Sequence, residues 1–192
     1  MKLPSEYYLH SDVVWLARDL LGKVICTEID GHRAAGIITE TEAYAGETDK
    51  ASHAYGGRRT PRTETMYAQG GCAYVYLCYG IHHLFNVVSN CEGIPHAVLL
   101  RGIRPVEGEA VILKRRNKQK LDQKIAAGPG TLTQALGIKT YHDLTDLTGN
   151  TIWIEDRGIQ IPNSNIKTGK RIGIDYAEED KDLPYRFRAK IS

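Results

Sequence analysis

The chain has 192 residues, 42% of them hydrophobic and 25% charged. That balance suits one globular domain spanning residues 1–192 and excludes a disordered tail or a fibrous repeat. A net charge of +2 selects no class of partner, and no apolar run approaches the ~20 residues of a membrane helix. Met1 to Glu6 has no signal-like apolar core, so a cytoplasmic protein (nuclear in a eukaryote) without a membrane partner is expected. Cys26, Cys72, Cys78 and Cys91 form no C-x-x-C pair and read as free thiols rather than disulfides. A zinc site from Cys78, His82, His83 and Cys91 is the weaker reading, because the spacing fits no compact motif.

Asp12 to Leu21 has the apolar spacing of a helix, closed by Gly22. Lys23 to Ile29 reads as a strand, Asp30-Gly31 as a tight turn, and Ala34 to Glu42 as the partner strand. A glycine- and arginine-rich loop follows from Gly46 to Arg62. Ala73 to Cys78 and Leu84 to Ser89 form a protruding hairpin around Tyr79-Gly80. Ala97 to Ile103 is a buried strand ending at Arg104-Pro105, and Glu107 to Arg116 is helical. Gly128-Pro129-Gly130 opens a short helix that Gly137 stops. Thr151 to Glu155 and Arg171 to Tyr176 supply two last strands. Helices and strands do not alternate, which excludes a doubly wound parallel sheet. The expected class is α+β: a curved, mostly antiparallel, open-barrel-like sheet with helices packed around it.

Two stretches are basic. One holds Arg58, Arg59 and Arg62; the other runs from Lys114 to Lys124 with only Asp122 against it. Either suits phosphates, and either fits a solvated surface equally well. In Glu40-Thr41-Glu42-Ala43-Tyr44, strand alternation places Glu40, Glu42 and Tyr44 on one face. A carboxylate there can act as general base or stabilise an oxocarbenium ion; a polar edge-strand face is the plain alternative. A hard-metal set of Glu40, Glu42, Asp49 and His53 matches no known spacing. Tyr74, Tyr76 and Tyr79 suit stacking on bases, although core packing is the better reading for Tyr74. Arg101, inside an apolar strand, needs a partner such as Glu42 or a phosphate. Lys50 is read as a solvated residue rather than a Schiff-base nucleophile.

In chain order, Ala17-Arg18-Asp19-Leu20-Leu21-Gly22, Glu40-Thr41-Glu42-Ala43-Tyr44, Asp49-Lys50-Ala51-Ser52-His53 and Gly57-Arg58-Arg59-Thr60-Pro61-Arg62 resemble segments of the alkyladenine (3-methyladenine) DNA glycosylase family. The resemblance continues through Tyr74-Val75-Tyr76, Tyr79-Gly80, Asn86-Val87, Ala97-Val98-Leu99-Leu100-Arg101 and Gly128-Pro129-Gly130. It implies Glu42 as the carboxylate that activates water and Arg101 beside that water. Tyr44 and His53 are implied on one side of a flipped-base pocket, Tyr76 on the opposite face, and Asn86 as a pocket residue affecting which bases fit. Tyr79 is implied as the wedge left in the duplex. Arg58, Arg59, Arg62, Gly128 and Gly130 are expected on DNA. Thr131 departs from the lysine some members carry there.

The expected activity is base excision repair by a monofunctional glycosylase with no metal or organic cofactor, acting as a monomer on double-stranded DNA with damaged purines. Candidate lesions are 3-methyladenine and 7-methylguanine, with ethenoadenine or hypoxanthine as further candidates. The products are a free base and an abasic site.

Overall fold

The computed structural model describes residues 1–191. In chain order its elements begin with α1 (Ser5–Tyr8), α2 (Val13–Asp19), β1 (Val24–Ile29) and β2 (His32–Tyr44). After a stretch of 3-10 turns come β3 (Ala73–Cys78), β4 (His82–Ser89) and β5 (His96–Glu107). The helices α3 (Glu109–Arg116) and α4 (Pro129–Leu136) follow, then β6 (Ile152–Glu155), β7 (Ile166–Gly169) and β8 (Arg186–Ala189).

The strands pair antiparallel in the order β3-β4-β5-β2-β1-β6, with β8 joined to β2 and β7 to β8. Asp30 and Gly31 both take positive φ, 55° and 70°. This is the two-residue hairpin turn whose twist matches that of its strands. The first half of β2 pairs with β1, and Glu40–Glu42 in its second half pair with Arg186–Arg188 of β8. Its other edge carries β5 throughout, with register shifts at Ala35/Gly36 and on both sides of Glu40. Such bulges bend a strand and add twist, which curls the sheet as expected.

The core lies between this sheet and the helices, with Leu16, Leu20, Ile38, Leu100, Ile112, Leu132 and Leu136 fully buried. Asp12 caps α2 by accepting from the Val14 and Trp15 N–H groups at 2.9 and 3.0 Å. Gly128 precedes Pro129 at the start of α4, and Gly137 (φ 79°) ends it. Among the described residues, no helix is long and apolar enough to cross a membrane.

Several expectations need correction. Arg171 to Tyr176 is not a strand; it is irregular chain leading into 3-10 turns. The Ile172 N–H goes to the Glu42 side chain rather than to the backbone of a neighbouring strand. The strands that complete the sheet are β7 and β8, whose four residues each are too few to register as a pattern. β5 continues through Arg104-Pro105 to Glu107. Proline is tolerated there because Pro105 lies beyond the residues paired with β4 and opposite the Gly36 bulge. Gly108, at φ 79°, then turns the chain, so α3 starts at Glu109 rather than Glu107. β2 likewise runs on to Tyr44.

Candidate active site

The β2 strand carries Glu42 into the fully buried interior. Glu42 Oε1 accepts the Ile172 N–H at 2.9 Å. Its Oε2 accepts the Tyr44 hydroxyl at 2.9 Å and Arg101 Nη1 at 3.3 Å. Arg101 also donates through Nε to Glu40 Oε1 at 3.1 Å, and Arg186 of β8 donates to that same oxygen at 2.7 Å. One guanidinium thus bridges both carboxylates, which explains an arginine in an apolar strand. Burial pushes the Glu42 carboxyl above its ordinary pKa; Arg101, the Ile172 N–H and the Tyr44 hydroxyl pull it back toward the ionised form. Burial, with Glu42 alongside, holds the Tyr44 hydroxyl far from ionisation.

A cavity of about 520 Å³ opens beside this network. Glu42 lies behind its three hydrogen-bond partners, Tyr44, Arg101 and Ile172, which themselves line the cavity together with His53, Tyr76 and Asn86. His53 Nδ1 lies 2.9 Å from the Tyr74 hydroxyl, and its Nε2 lies 3.4 Å from Arg62 Nη2. Arginine only donates, so Nε2 is the acceptor and the imidazole proton belongs on Nδ1. Burial, reinforced by Arg62 and Arg58, pushes His53 down to about 4, leaving it neutral at pH ~7. The His53 and Tyr76 rings meet edge to face at 4.8 Å, and Tyr74 and Tyr76 lie 5.2 Å apart. Tyr74 is buried, as expected, and its hydroxyl anchors His53. Asn86 is buried too, donating through Nδ2 to the Tyr74 carbonyl at 3.1 Å.

At the cavity mouth, β3 and β4 close around Tyr79, Gly80 and Ile81. Tyr79 is 88% exposed and held at φ 51°, a backbone region that bulky side chains rarely take. The α4 start abuts this hairpin: a Cβ on Gly130 would stand 2.9 Å from His82 Nδ1. Pro129 reaches the cavity wall, and the Thr131 hydroxyl turns back to the Gly128 carbonyl at 2.8 Å.

A family model described as methylpurine-DNA glycosylase matches residues 7–192. The chain belongs to that family. Among its relatives, a protein of Chlamydia felis is 47% identical over 98% of this chain and 96% of its own length. One of Clostridium acetobutylicum is 45% identical over 99% and 95%, respectively. Both bear the name "Putative 3-methyladenine DNA glycosylase".

Within this methylpurine-DNA glycosylase fold, the residues of the alternative hard-metal set are each committed elsewhere. Arg101 and Arg186 hold Glu40, Tyr74 holds His53, and Asp49 is claimed by Arg171. Sequence reasoning missed that last pair. Arg171 is fully buried and reaches Asp49 with both arms, Nη2 to Oδ1 at 2.8 Å and Nη1 to Oδ2. It also donates to the Ala43 carbonyl at 2.8 Å and lies against the rings of Tyr44 and Tyr185. Asp49 accepts the Ala45 and Ala51 N–H groups, each at 3.0 Å. The pair thus pins the segment whose next residue, Ile172, donates to Glu42. The signal was an arginine ahead of Ile172-Gly173-Ile174, the same clue that singled out Arg101. Tyr176 was also missed; it lines the cavity and donates to the Ala51 carbonyl at 3.0 Å.

The basic stretches divide by role. Arg59 pairs with Glu64 and lies over Tyr67. Arg115 and Arg116 are committed to the carbonyls of Ile29 and Ile125, at 3.2 and 2.7 Å. Arg58, Lys114, Lys118, Lys120 and Lys124 are exposed. Lys50, expected to be merely solvated, pairs with Glu178 and Glu179.

Proposed function

We propose that this protein is a monofunctional 3-methyladenine DNA glycosylase of base excision repair, with Glu42 as the group that activates water. The observation that carries this reading is the Glu42 network: a buried carboxylate kept toward ionisation by three donors, all of which line an aromatic cavity. Glu42, Arg101, Tyr44, His53, Tyr76 and Asn86 form the site. Tyr79 acts as wedge. Arg58, Arg59, Arg62 and the Gly128–Gly130 turn hold phosphate, the turn through backbone N–H groups at a helix start.

Drawing a purine out of the stack costs a few kcal/mol, least for a damaged base. Stacking offsets this by about 1–3 kcal/mol per base. A 3-methyladenine or 7-methylguanine ring is cationic in DNA, so an aromatic wall attracts it. The same charge makes it a good leaving group. The C1′–N bond breaks with its electron pair going to the purine, water oxygen bonds to C1′, and Glu42 takes the water proton. The products are free base and an abasic site in an uncut strand. The paired Lys50 is absent from the cavity lining, which favours water over an enzyme amine as nucleophile. Ethenoadenine and hypoxanthine belong to a slower class, because their neutral rings leave only with an added proton. The protein acts as a cytoplasmic monomer without a cofactor.

Duplex DNA containing 3-methyladenine or 7-methylguanine, incubated with the protein and EDTA, should release free base. Glu42→Gln should slow release at least about a hundredfold, the scale of a lost general base, with binding retained. Binding without release of either base would overturn the reading and leave a damage-binding module.

A further inference from the structure

Arg62 occupies a place that the proposed reaction needs for something else. Its guanidinium carbon lies 4.7 Å from the centre of the Tyr76 ring, inside the ~6 Å range of a cation–π contact. Nη2 reaches His53 Nε2 at 3.4 Å. The side chain lines the cavity, although the residue as a whole is exposed. Four other arginines are held by carboxylates: Arg59 by Glu64, Arg101 by Glu40 and Glu42, Arg171 by Asp49 and Arg186 by Glu40. Among the described residues, no carboxylate pairs with Arg62 in this way. Its contacts are aromatic faces and neutral polar atoms, which it can leave without stranding a buried charge.

Resting on the glycosylase reading above, we propose that Arg62 is a specificity-determining placeholder. In the DNA-free protein it holds the stacking position on Tyr76 that a flipped base must take, and it moves to a flanking phosphate when the base enters. A guanidinium is flat, delocalised and positive, and so is a purine alkylated at N3 or N7. A cationic base entering the pocket restores the cation–π contact that Arg62 gives up. A neutral purine, normal or deaminated, does not restore it. The cost of displacing Arg62 is the same for every base. A cationic lesion, held by its own cation–π contact, stays mostly flipped and loses little rate, whereas a weakly held neutral purine loses the full factor. Arg62 thereby widens the margin in excision without touching the reacting atoms.

The test compares wild type with Arg62→Met and Arg62→Lys. Under single-turnover conditions with saturating protein, the excision rates of 7-methylguanine and hypoxanthine are expressed as a ratio, which cancels any uniform loss of phosphate binding. Arg62→Met should shift that ratio toward hypoxanthine by about two- to tenfold, the span of one cation–π contact. Arg62→Lys, which keeps the charge without the flat stacking face, should fall between wild type and Arg62→Met.

Two further measurements need no catalysis. In NMR titrations, the His53 midpoint should rise from about 4 in Arg62→Met, as a neighbouring positive charge is lost. Inosine, and cationic 7-methylguanosine in mildly acidic buffer, should both bind that variant more tightly, because neither then has Arg62 to displace. If wild type releases no base, the glycosylase reading fails and these binding measurements still decide the placeholder. Unchanged binding of both nucleosides in Arg62→Met, or an unchanged excision ratio where excision occurs, overturns the proposal.

Discussion

Glu42 is surrounded by opposing influences, and their balance fixes how activity should follow pH. Burial raises its pKa above the ordinary 4.5 of a glutamate, while Arg101, the Ile172 N–H and the Tyr44 hydroxyl lower it. Water activation needs the ionised carboxylate, so kcat/KM should fall as pH drops through that raised value. The acid limb belongs above 4.5, and His53, already neutral well below pH 7, does not produce it. Arg101→Met removes the strongest influence favouring ionisation and should move the limb to higher pH, beyond any loss of maximal rate. A limb that stays in place would separate Arg101 from the ionisation of Glu42. Glu42 was legible from the alternation that puts Glu40, Glu42 and Tyr44 on one face, and Arg101 because a charge among apolar residues needs a partner. Arg171 obeys the same rule, but its partner Asp49 lies 122 positions away. Nothing local connected them.

At the scale of elements, the hairpin of β3 and β4 was legible from its alternating residues and the Tyr79-Gly80 bend. Its strain was not. Left-handed backbone at a non-glycine residue costs roughly 1–2 kcal/mol, and Tyr79 bears that cost while almost fully exposed. Nothing in packing repays it, which fits a side chain kept for DNA. Tyr79→Gly should therefore leave the fold as stable as wild type or more so, by up to about 1 kcal/mol in denaturant unfolding. The same change should lower excision of a base-paired lesion by about tenfold, the scale of one lost stacking contact. Lost stability would show that the tip serves the fold instead. The late strands β7 and β8 escaped notice for a different reason. Each has four residues, the shortest run in which the polar–apolar alternation of Arg186-Phe187-Arg188-Ala189 can show. β8 pairs with β2 along the edge that β1 leaves free beyond Ile37.

For the molecule as a whole, the curved antiparallel sheet could be read from turn residues and strand periodicity up to about Ile103. Beyond Ile138 the chain is held increasingly by individual polar contacts, which leave no periodic trace. The Asp49–Arg171 pair is the chief of these. Breaking such a buried pair from one side costs about 3–5 kcal/mol, because the remaining charge is stranded. Asp49→Asn or Arg171→Met should lower Tm by about 10 °C in calorimetry, at the 2–4 °C per kcal/mol typical of this size. Either should also slow excision, since Ile172 loses its anchor. An unchanged Tm would mean the pair is dispensable to the fold. Glu42 and the Ile172 N–H that steadies it are 130 positions apart. A chain growing from the ribosome therefore presents its carboxylate long before the segment that completes the site. Until residues 170–176 emerge and fold back, the nascent polypeptide has the Glu42 carboxylate without its fixed setting. For an enzyme whose product is itself a lesion, that order of synthesis delays competence until the fold can close around it.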